Sequence, residues 1–160
     1  MSKTLVAYFS YSGVTEKLAK ALAAVVGGDL YTIEPATPYT DADLDWHNLK
    51  ARSTVEMHDK KSRPEIAGTV RNMDASDVVY VGFPIWWYIA PTIINTFLEA
   101  YDFSGKTVVP FATSGGSDVG ETDAWLHASC SKETKWRPAK RFGRAIDATI
   151  LKTWVNSLNV

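Results

Sequence analysis

Apolar residues in this chain fall into short runs of strand length, and these runs alternate with segments that have the periodicity of an amphipathic helix. The clearest run, Val78–Phe83, contains no charged residue, which is typical of a central strand that is buried on both faces. The alternation predicts an α/β fold in which helices cover both faces of a parallel sheet. A length of 160 residues is that of one ordinary domain, so we expect residues 1–160 to form one domain.

Strand and helix signals together cover most of the chain. The predicted strands, in chain order, are Thr4–Phe9, Asp29–Glu34, Val78–Phe83, Lys106–Ala112 and Lys135–Phe142. The predicted helices are one that ends at Gly27-Gly28, then Asp43–His58, one that begins at Pro91, Glu121–Ser129 and Arg144–Leu158. The last strand has the weakest pattern, because Pro138 and several Lys and Arg residues suit an exposed sheet edge.

Composition and charge exclude several classes of function. The 17 Lys and Arg residues nearly balance the 18 Asp and Glu residues, for a formal net charge of −1, which argues against a nucleic-acid binder. No apolar run is long enough to span a bilayer, and the N-terminus lacks the pattern of a signal peptide. Because the single Cys130 cannot form an internal disulfide, we expect a cytoplasmic protein. His47, His58 and His127 show no metal-binding spacing, so no metal site is predicted.

A hydroxyl-rich turn directly after the first strand predicts a phosphate site. Ser10, Ser12 and Thr15 carry hydroxyl donors, and the helix that follows adds unpaired N–H groups and the positive end of its dipole. Gly13 allows the backbone to approach a ligand closely. The turn lacks the lysine of the nucleotide-triphosphate P-loop and the G-x-G-x-x-G pattern, which favours a phosphate monoester bound without magnesium. The alternative interpretation is an ordinary turn and helix cap, which uses the same residue types.

Two more loops are predicted to lie beside this turn, because ligands of doubly wound sheets bind at the carboxyl ends of the strands. The loop Phe83–Pro91 contains Trp86, Trp87 and Tyr88, and we expect at least one of these rings to stack on a flat ligand. This loop has no glycine, so we expect its backbone to resist a positive φ. The loop Thr113–Gly120 is rich in glycine, which favours backbone contacts with the polar edge of a ring. Its alternative interpretation is a flexible surface turn.

Five motifs together resemble the flavodoxin-like family, and the resemblance covers nearly the whole chain. They are Phe9–Thr15, Arg63–Ile66, Pro84–Trp87, Tyr101–Lys106 and Thr113–Ser117. The resemblance implies a flavodoxin-like three-layer sandwich, with a five-stranded parallel sheet in the order 2-1-3-4-5, and a bound FMN. It also implies that the flavin carries the redox chemistry, so no catalytic side chain is expected.

The same resemblance implies which residues bind FMN. The turn after the first strand would hold the phosphate through Ser10, Tyr11, Ser12, Gly13, Val14 and Thr15. The aromatic loop would line one side of the isoalloxazine ring through Pro84, Ile85, Trp86, Trp87 and Tyr88. The glycine-rich loop would approach the pyrimidine edge of the ring through Thr113, Ser114, Gly115, Gly116 and Asp118.

Two redox functions follow from the resemblance, and they differ in the electron acceptor. The leading prediction is an electron carrier that serves a redox partner protein through non-covalently bound FMN. The alternative is an FMN-dependent NAD(P)H:quinone-type oxidoreductase that acts on a small quinone-like acceptor. The near-neutral charge counts against the acidic carrier type, and the lack of an obvious nicotinamide site counts against an autonomous reductase. A receiver-like regulatory domain is a distant alternative, because Ser10 and Phe83-Pro84 occupy the positions where it would need acidic residues.

Overall fold

The computed structural model describes residues 3–71 and 73–160, which contain strands, α-helices and two 3₁₀ turns. The strands are β1 (Thr4–Tyr8), β2 (Asp29–Thr32), β3 (Glu34–Pro35), β4 (Ile66–Ala67), β5 (Val78–Pro84), β6 (Thr107–Thr113), β7 (Lys135–Trp136) and β8 (Lys140–Phe142). The helices are α1 (Val14–Val26), α2 (Arg52–His58), α3 (Thr92–Glu99), α4 (Thr122–His127) and α5 (Ala148–Leu158). The 3₁₀ turns are Ala42–Leu44 and Met73–Ala75.

The central sheet has the predicted strand order. Its strands lie in the order β2-β1-β5-β6-β7, β8 also pairs with β6, and each of these pairings is parallel. With β7 and β8 sharing one edge position, this is the order 2-1-3-4-5, and the predicted α/β class is confirmed. Tyr8 pairs with Gly82 and Pro84 pairs with Thr113, so the carboxyl ends of β1, β5 and β6 are neighbours. The turns that follow these three strands therefore lie side by side.

The prediction of one continuous edge strand, Lys135–Phe142, is wrong. The structure has two short strands there: β7 pairs with β6 at Thr107 and Val108, and β8 pairs with β6 from Phe111 onward. Between them, Pro138 has no N–H group to donate, and a proline cannot continue a hydrogen-bonded ladder. The interruption adds a sixth strand to the sheet without changing its order.

The predicted helix Asp43–His58 is also shorter than expected, because it begins only at Arg52. The backbone N–H of His47 donates to Asp45 Oδ1 at 3.1 Å, and that of Lys50 donates to Asn48 Oδ1 at 3.0 Å. Such bonds from the backbone to nearby side chains offer an alternative to helical hydrogen bonds. Local side chains therefore turn most of this segment into a series of turns.

Two other predicted boundaries, the start of the last helix and the end of the second strand, also differ from those in the structure. The last helix begins at Ala148 instead of Arg144, because Asp147 Oδ1 caps it by accepting from the N–H groups of Thr149 and Ile150. The predicted second strand ends at Thr32 in the central sheet. The next strand, β3, leaves that sheet and pairs with β4 in an antiparallel ribbon.

Apolar clusters lie on both faces of the sheet, because alternate residues of a strand point to opposite faces. One cluster joins the strands to α3 and α4, and it includes Ala7, Val79, Val81, Ile94, Phe97 and Leu126. The other joins the strands to α1 and α5, and it includes Val6, Tyr80, Phe111, Leu22, Leu151 and Trp154. Packing leaves no room for a side chain at Gly82, whose added Cβ would lie 2.2 Å from Cζ of Phe111. Within the described residues, no helix is both long enough and apolar enough to cross a membrane.

The connection between β3 and β4 contributes a further layer, residues 36–62, which we call the cover segment. Its Tyr39 is buried and packs edge to face against Trp86, with ring centroids 5.6 Å apart. The Arg52 guanidinium lies 3.9 Å from the centroid of the Tyr39 ring, and the Tyr39 hydroxyl donates to Glu56 Oε1 at 2.5 Å. Burial and this hydrogen bond raise the pKa of Tyr39 far above its usual range. The contact with Trp86 joins the cover segment to the loop that follows β5, and the contacts with Arg52 and Glu56 hold the Tyr39 ring within the segment.

Candidate functional site

A cleft of about 610 Å³ lies at the carboxyl end of the sheet, and its volume is within the usual range for small-molecule sites. Its lining comes from the turn after β1, the loops after β5 and β6, and the cover segment. The lining residues are Tyr11, Ser12, Thr15, Leu44, Trp46, Ser53, Pro84, Ile85, Trp86, Trp87, Tyr88 and Ser117. The structure thus brings together the three loops that were predicted to meet, and it adds a fourth wall.

The turn after β1 presents hydrogen-bond donors at the start of α1. Gly13 has a φ of 90°, a value that favours glycine, and its N–H donates to Ser10 Oγ at 3.2 Å. The first helical hydrogen bond runs from Lys17 N to Gly13 O. The N–H groups of Val14 and the next two residues therefore have no acceptor within the helix. Together with the helix dipole, they favour an anion at this position.

The serines of this turn have different positions. Ser10 is half-buried, and it accepts the Gly13 N–H through its oxygen, so its own O–H remains able to donate. Ser12 is exposed and lines the cleft. The hydroxyl of Tyr11 donates to Asp41 on the cover segment, and this hydrogen bond raises the pKa of Tyr11. Tyr11 thereby connects the turn to the cover segment while its ring lines the cleft.

Two buried hydroxyl groups lie beside this turn. Thr15 Oγ1 and Thr113 Oγ1 are 2.7 Å apart, and the two side chains are only 1% and 4% exposed. One hydroxyl proton makes the hydrogen bond between them, and the other has no acceptor among the residues that the structure describes. That second proton is available to an oxygen atom of a ligand, because each hydroxyl donates once.

The loop after β5 is a tight hairpin whose tip is strained. The backbones of Trp86 and Ile89 exchange hydrogen bonds of 3.0 and 3.2 Å, and the two residues between them, Trp87 and Tyr88, have φ values of 48° and 68°. Two positive φ angles in a two-residue hairpin loop are characteristic of a type I′ turn, which usually contains Asn and Gly. Two large side chains nevertheless adopt positive φ here, so the resistance predicted from sequence becomes strain in the folded loop. The left-handed region costs such residues about 1–2 kcal/mol each.

The three aromatic rings of the hairpin have different surroundings. Trp86 packs edge to face against the core residue Phe9, with ring centroids 5.6 Å apart. The Trp87 ring lies 6.0 Å from the ring of His58, and Tyr88 is 67% exposed. All three line the cleft, but Trp86 is already packed into the core. Trp87 and Tyr88 are therefore better placed than Trp86 to give up their current contacts and cover a flat ligand.

The loop after β6 is fixed at its first residue. Arg141 donates from Nε to Ser114 Oγ and from Nη2 to Ser114 O, both at 2.9 Å. The Ser114 hydroxyl donates to the carbonyl of Ser117. Arg141 belongs to the basic edge of the sheet, so its role here could not be inferred from its charge alone.

The rest of this loop is open. A Cβ added at Gly115 or Gly116 would meet no heavy atom within 4 Å, and Asp118 is exposed. Gly120 has a φ of 56°, and an added Cβ would lie 2.5 Å from the carbonyl oxygen of Tyr88, so the loop packs directly against the tip of the hairpin. Of this loop, Ser117 lines the cleft, whereas Thr113, Ser114, Gly115, Gly116 and Asp118 do not.

The cover segment supplies cleft residues that sequence reasoning did not identify. They are Leu44, Trp46 and Ser53, and Trp46 is 65% exposed. The signal that could have revealed this wall is a tryptophan within the polar stretch Asp41–Lys50, because an exposed tryptophan beside a cleft often contacts a ligand.

The chemistry of the lining matches a flavin mononucleotide. None of the lining residues carries an ionised side chain at neutral pH, and most of the walls are aromatic or aliphatic. The N–H and hydroxyl donors of the turn after β1 suit a phosphate group, and the remaining walls suit a flat ring. The residues present therefore fit the cofactor that the sequence resemblance implies.

Comparisons with known proteins agree with this geometry. The family model described as Flavodoxin matches residues 3–158. A protein from Bacteroides eggerthii DSM 20697, assigned as a flavoprotein, is 48% identical over 100% of this chain and 99% of its own, with a TM-score of 0.94. A protein from Bacteroides uniformis ATCC 8492, assigned likewise, is 45% identical over 97% of this chain and 98% of its own, with a TM-score of 0.91.

A more distant structure extends the likeness. A flavoprotein from Lactobacillus acidophilus NCFM, determined in complex with FMN, is 21% identical over 100% of both chains, with a TM-score of 0.76. At this identity the likeness shows the fold alone. The search of curated proteins returned no match.

Proposed function

Because this chain belongs to the flavodoxin family, we propose that it binds FMN without a covalent bond and carries electrons through it. The observation that supports this most strongly is the cleft itself. In it, a turn rich in hydrogen-bond donors that can bind an anion opens onto uncharged aromatic walls. The structural relative from Lactobacillus acidophilus was determined with FMN, which is consistent with the same cofactor. When bound, FMN would supply the transfer of electrons or hydride.

In this proposal the turn after β1 recognises the phosphate. The free N–H groups at the start of α1, the hydroxyl of Ser12 and the spare proton of the Thr15–Thr113 pair donate to its oxygens. No cation is needed beside them, because the helix dipole favours negative charge at this end. Recognition of a terminal phosphate selects FMN over riboflavin.

The hairpin after β5 and the loop after β6 orient the flavin ring. Trp87 and Tyr88 supply aromatic surface, while Ser117, the residue of the loop after β6 that lines the cleft, supplies polar groups to the edge of the ring. Apolar walls also exclude water from the ring and favour an uncharged flavin over an anionic one.

Reconstitution tests this function directly. The purified chain is mixed with excess FMN, free flavin is removed, and the visible spectrum is recorded before and after anaerobic photoreduction. We expect a yellow protein whose flavin is reduced and reoxidised reversibly, and a colourless protein would refute the proposal. The double variant Ser12→Ala, Thr15→Val should weaken FMN binding by about 3–6 kcal/mol, since hydrogen bonds to charged groups contribute about 1.5–3 kcal/mol each. The remote double variant Thr149→Ala, Ser157→Ala on α5 serves as the control.

A second candidate function is FMN-dependent reduction of a small quinone-like acceptor. The cover-segment wall of Leu44, Trp46 and Ser53 favours it, because these residues line the cleft in addition to the three loops that the flavin proposal uses. The two functions differ in how the flavin is reduced. If the protein is a carrier, NADH or NADPH alone should leave the bound flavin oxidised for the duration of a kinetic trace. Rapid bleaching by either nucleotide would instead favour the enzyme.

A further inference from the structure

The charges of this chain are unevenly distributed along the sequence. Residues 132–144 contain six cationic side chains and one carboxylate, Glu133, whereas the rest of the chain has more Asp and Glu than Lys and Arg. The six cations are Lys132, Lys135, Arg137, Lys140, Arg141 and Arg144. None of them forms an ion pair with a carboxylate of the residues that the structure describes. A chain of nearly neutral net charge therefore has one strongly basic stretch, at the β7–β8 edge of the sheet.

Hydrogen bonds within the described part of the chain engage only two of these six guanidinium and ammonium groups at the sheet's carboxyl half. Arg137 donates from Nε to the carbonyl of Leu158 at 2.9 Å, and Arg141 donates to Ser114. Basic residues also protect an exposed sheet edge from pairing with another chain. That role does not extend to Arg144, which follows the last strand and is exposed. Neither internal contacts nor edge protection therefore explains the charge at Arg144.

A small pocket lies beside these cations. Its walls include Leu18 of α1, Phe142 of β8 and Leu151 of α5, and Lys140 adds a positive charge to the lining. Its volume is about 200 Å³, which is below the usual range for small-molecule sites and suits a single apolar side chain. Phe142 pairs with Thr113, so the pocket lies at the same end of the sheet as the cleft.

Two exposed isoleucines border this pocket. Ile146 is 39% exposed and Ile150 is 54% exposed, and both line it. The neighbouring Arg144 is flanked by two further lining residues. The one carboxylate of the lining, Asp147, caps α5 by accepting from the N–H groups of Thr149 and Ile150, and the helix dipole offsets its charge. Apolar side chains that are exposed together mark interaction surfaces, and protection of a sheet edge requires no isoleucine.

From these observations we propose that this surface docks an acidic segment of a partner protein. The surface, which we call the basic face, comprises Lys140, Arg144, Ile146 and Ile150. One apolar side chain of the segment enters the pocket, and carboxylates on either side of it pair with Lys140 and Arg144. Unpaired cations select an acidic partner by charge complementarity. The apolar walls select a protein, because a polyphosphate or a nucleic-acid backbone has no aliphatic side chain to bury.

The basic face is separate from the proposed flavin site. The pocket and the cleft share no lining residue, so the inference goes beyond the proposed function and does not require FMN to bind. A partner that docks here is held at the end of the sheet that carries the cleft.

The experiment uses nuclear magnetic resonance to measure peptide binding to the isotope-labelled full chain. The probe is a heptapeptide with blocked ends, in which a central leucine has three glutamates on each side. One matched peptide has glutamine in place of every glutamate, and another has glutamine in place of the leucine. We expect the probe to shift the amide signals of Gly143, Ile146 and Ile150.

The matched peptides separate the two parts of the recognition. Each should bind at least about threefold more weakly than the probe, because one lacks the charges that pair with the cations and the other lacks the side chain that fills the pocket. Raising the sodium chloride concentration from about 0.02 M to about 0.3 M should also weaken binding of the probe, since salt screens exposed charges.

Variants assign the surface. The double variant Lys140→Gln, Arg144→Gln and the single variant Ile150→Ser should each weaken binding of the probe about threefold or more. These side chains are exposed or half-buried, so the dispersion of the amide signals should remain that of the folded chain. The dissociation constant of FMN should stay within about twofold.

Control variants carry the same changes elsewhere on the surface. The double variant Lys50→Gln, Lys61→Gln alters two exposed lysines of the cover segment. Leu30→Ser alters a residue of β2 that is 40% exposed. Neither set belongs to the pocket, so both control proteins should bind the probe like the wild type.

The proposal is overturned if the probe shifts no signals of the basic face, if either matched peptide binds as tightly as the probe, or if both test variants bind it like the wild type. Tighter binding of tripolyphosphate or of phosphatidylglycerol vesicles than of the probe would assign the face to phosphate groups and overturn it too. Self-association of the wild-type chain in sedimentation, lost in the double variant Lys140→Gln, Arg144→Gln, would assign the face to a second copy and also contradict it.

Discussion

Because the tip of the hairpin is strained, we predict that glycine at position 88 gives a more stable protein than alanine does, the reverse of the usual order. Tyr88 has a φ of 68° and is 67% exposed, so replacing it removes few packing contacts. Alanine at this position keeps the Cβ that makes the left-handed region unfavourable, whereas glycine does not. We expect Tyr88→Gly to be more stable than Tyr88→Ala by about 1 kcal/mol, which is roughly 2–4 °C in melting temperature for a chain of this size.

The comparison is made by urea unfolding of the two FMN-free variants, so that ligand binding does not contribute. Ile89 provides the control, because it belongs to the same hairpin but is not among the residues with positive φ. There the ordinary order should hold, with Ile89→Ala more stable than Ile89→Gly by about 0.5–1 kcal/mol. Equal stability of the two Tyr88 variants, or a more stable Tyr88→Ala, would refute the assignment of strain to this turn.

Other predictions concern an ion pair, the cysteine and the tryptophan that packs against the core. Arg63 donates to Glu99 at 3.0 Å and holds the pKa of that carboxyl below its usual range. Arg63→Gln should therefore cost less than about 1 kcal/mol at neutral pH. In urea titrations that cost should shrink as the pH falls through the lowered pKa of Glu99, because protonation of the carboxylate removes the ion pair. Burial raises the pKa of Cys130 to about 11, so thiol reagents should modify it slowly at about pH 8 until urea unfolds the chain, and immediate reaction would contradict this. Trp86→Ala should lower the free energy of unfolding by about 2–4 kcal/mol because its ring packs into the core, and equal losses for Trp87→Ala would contradict the difference between the two rings.

The main strands and the phosphate turn could be predicted from sequence because their signals are local, whereas the order of the strands in the sheet was implied by the family resemblance. The buried run Val78–Phe83 and the hydroxyl-rich turn at Ser10 each identify one element without knowledge of any other. The same holds for the interruption at Pro138, whose missing N–H is visible in the sequence. Only its consequence, two strands at one edge of the sheet, required the structure.

The remaining features depend on contacts between distant residues. No pattern in the sequence predicts that Tyr39 packs on Trp86. This contact places the cover segment, with Trp46 and Ser53, beside the cleft. The type I′ turn was also unexpected, because its residues are neither Asn nor Gly. The close approach of the Gly120 backbone to the Tyr88 carbonyl shows that tertiary packing helps to hold the turn in this conformation.

The central claim is that the turn after β1 binds the phosphate of FMN. Isothermal titration calorimetry of the cofactor-free chain with FMN and with riboflavin tests it most directly, because the two ligands differ only in that phosphate. We expect FMN to bind at least about 100-fold more tightly, since two charge-assisted hydrogen bonds contribute about 3 kcal/mol or more. Riboflavin that bound within a few-fold of FMN would contradict the account.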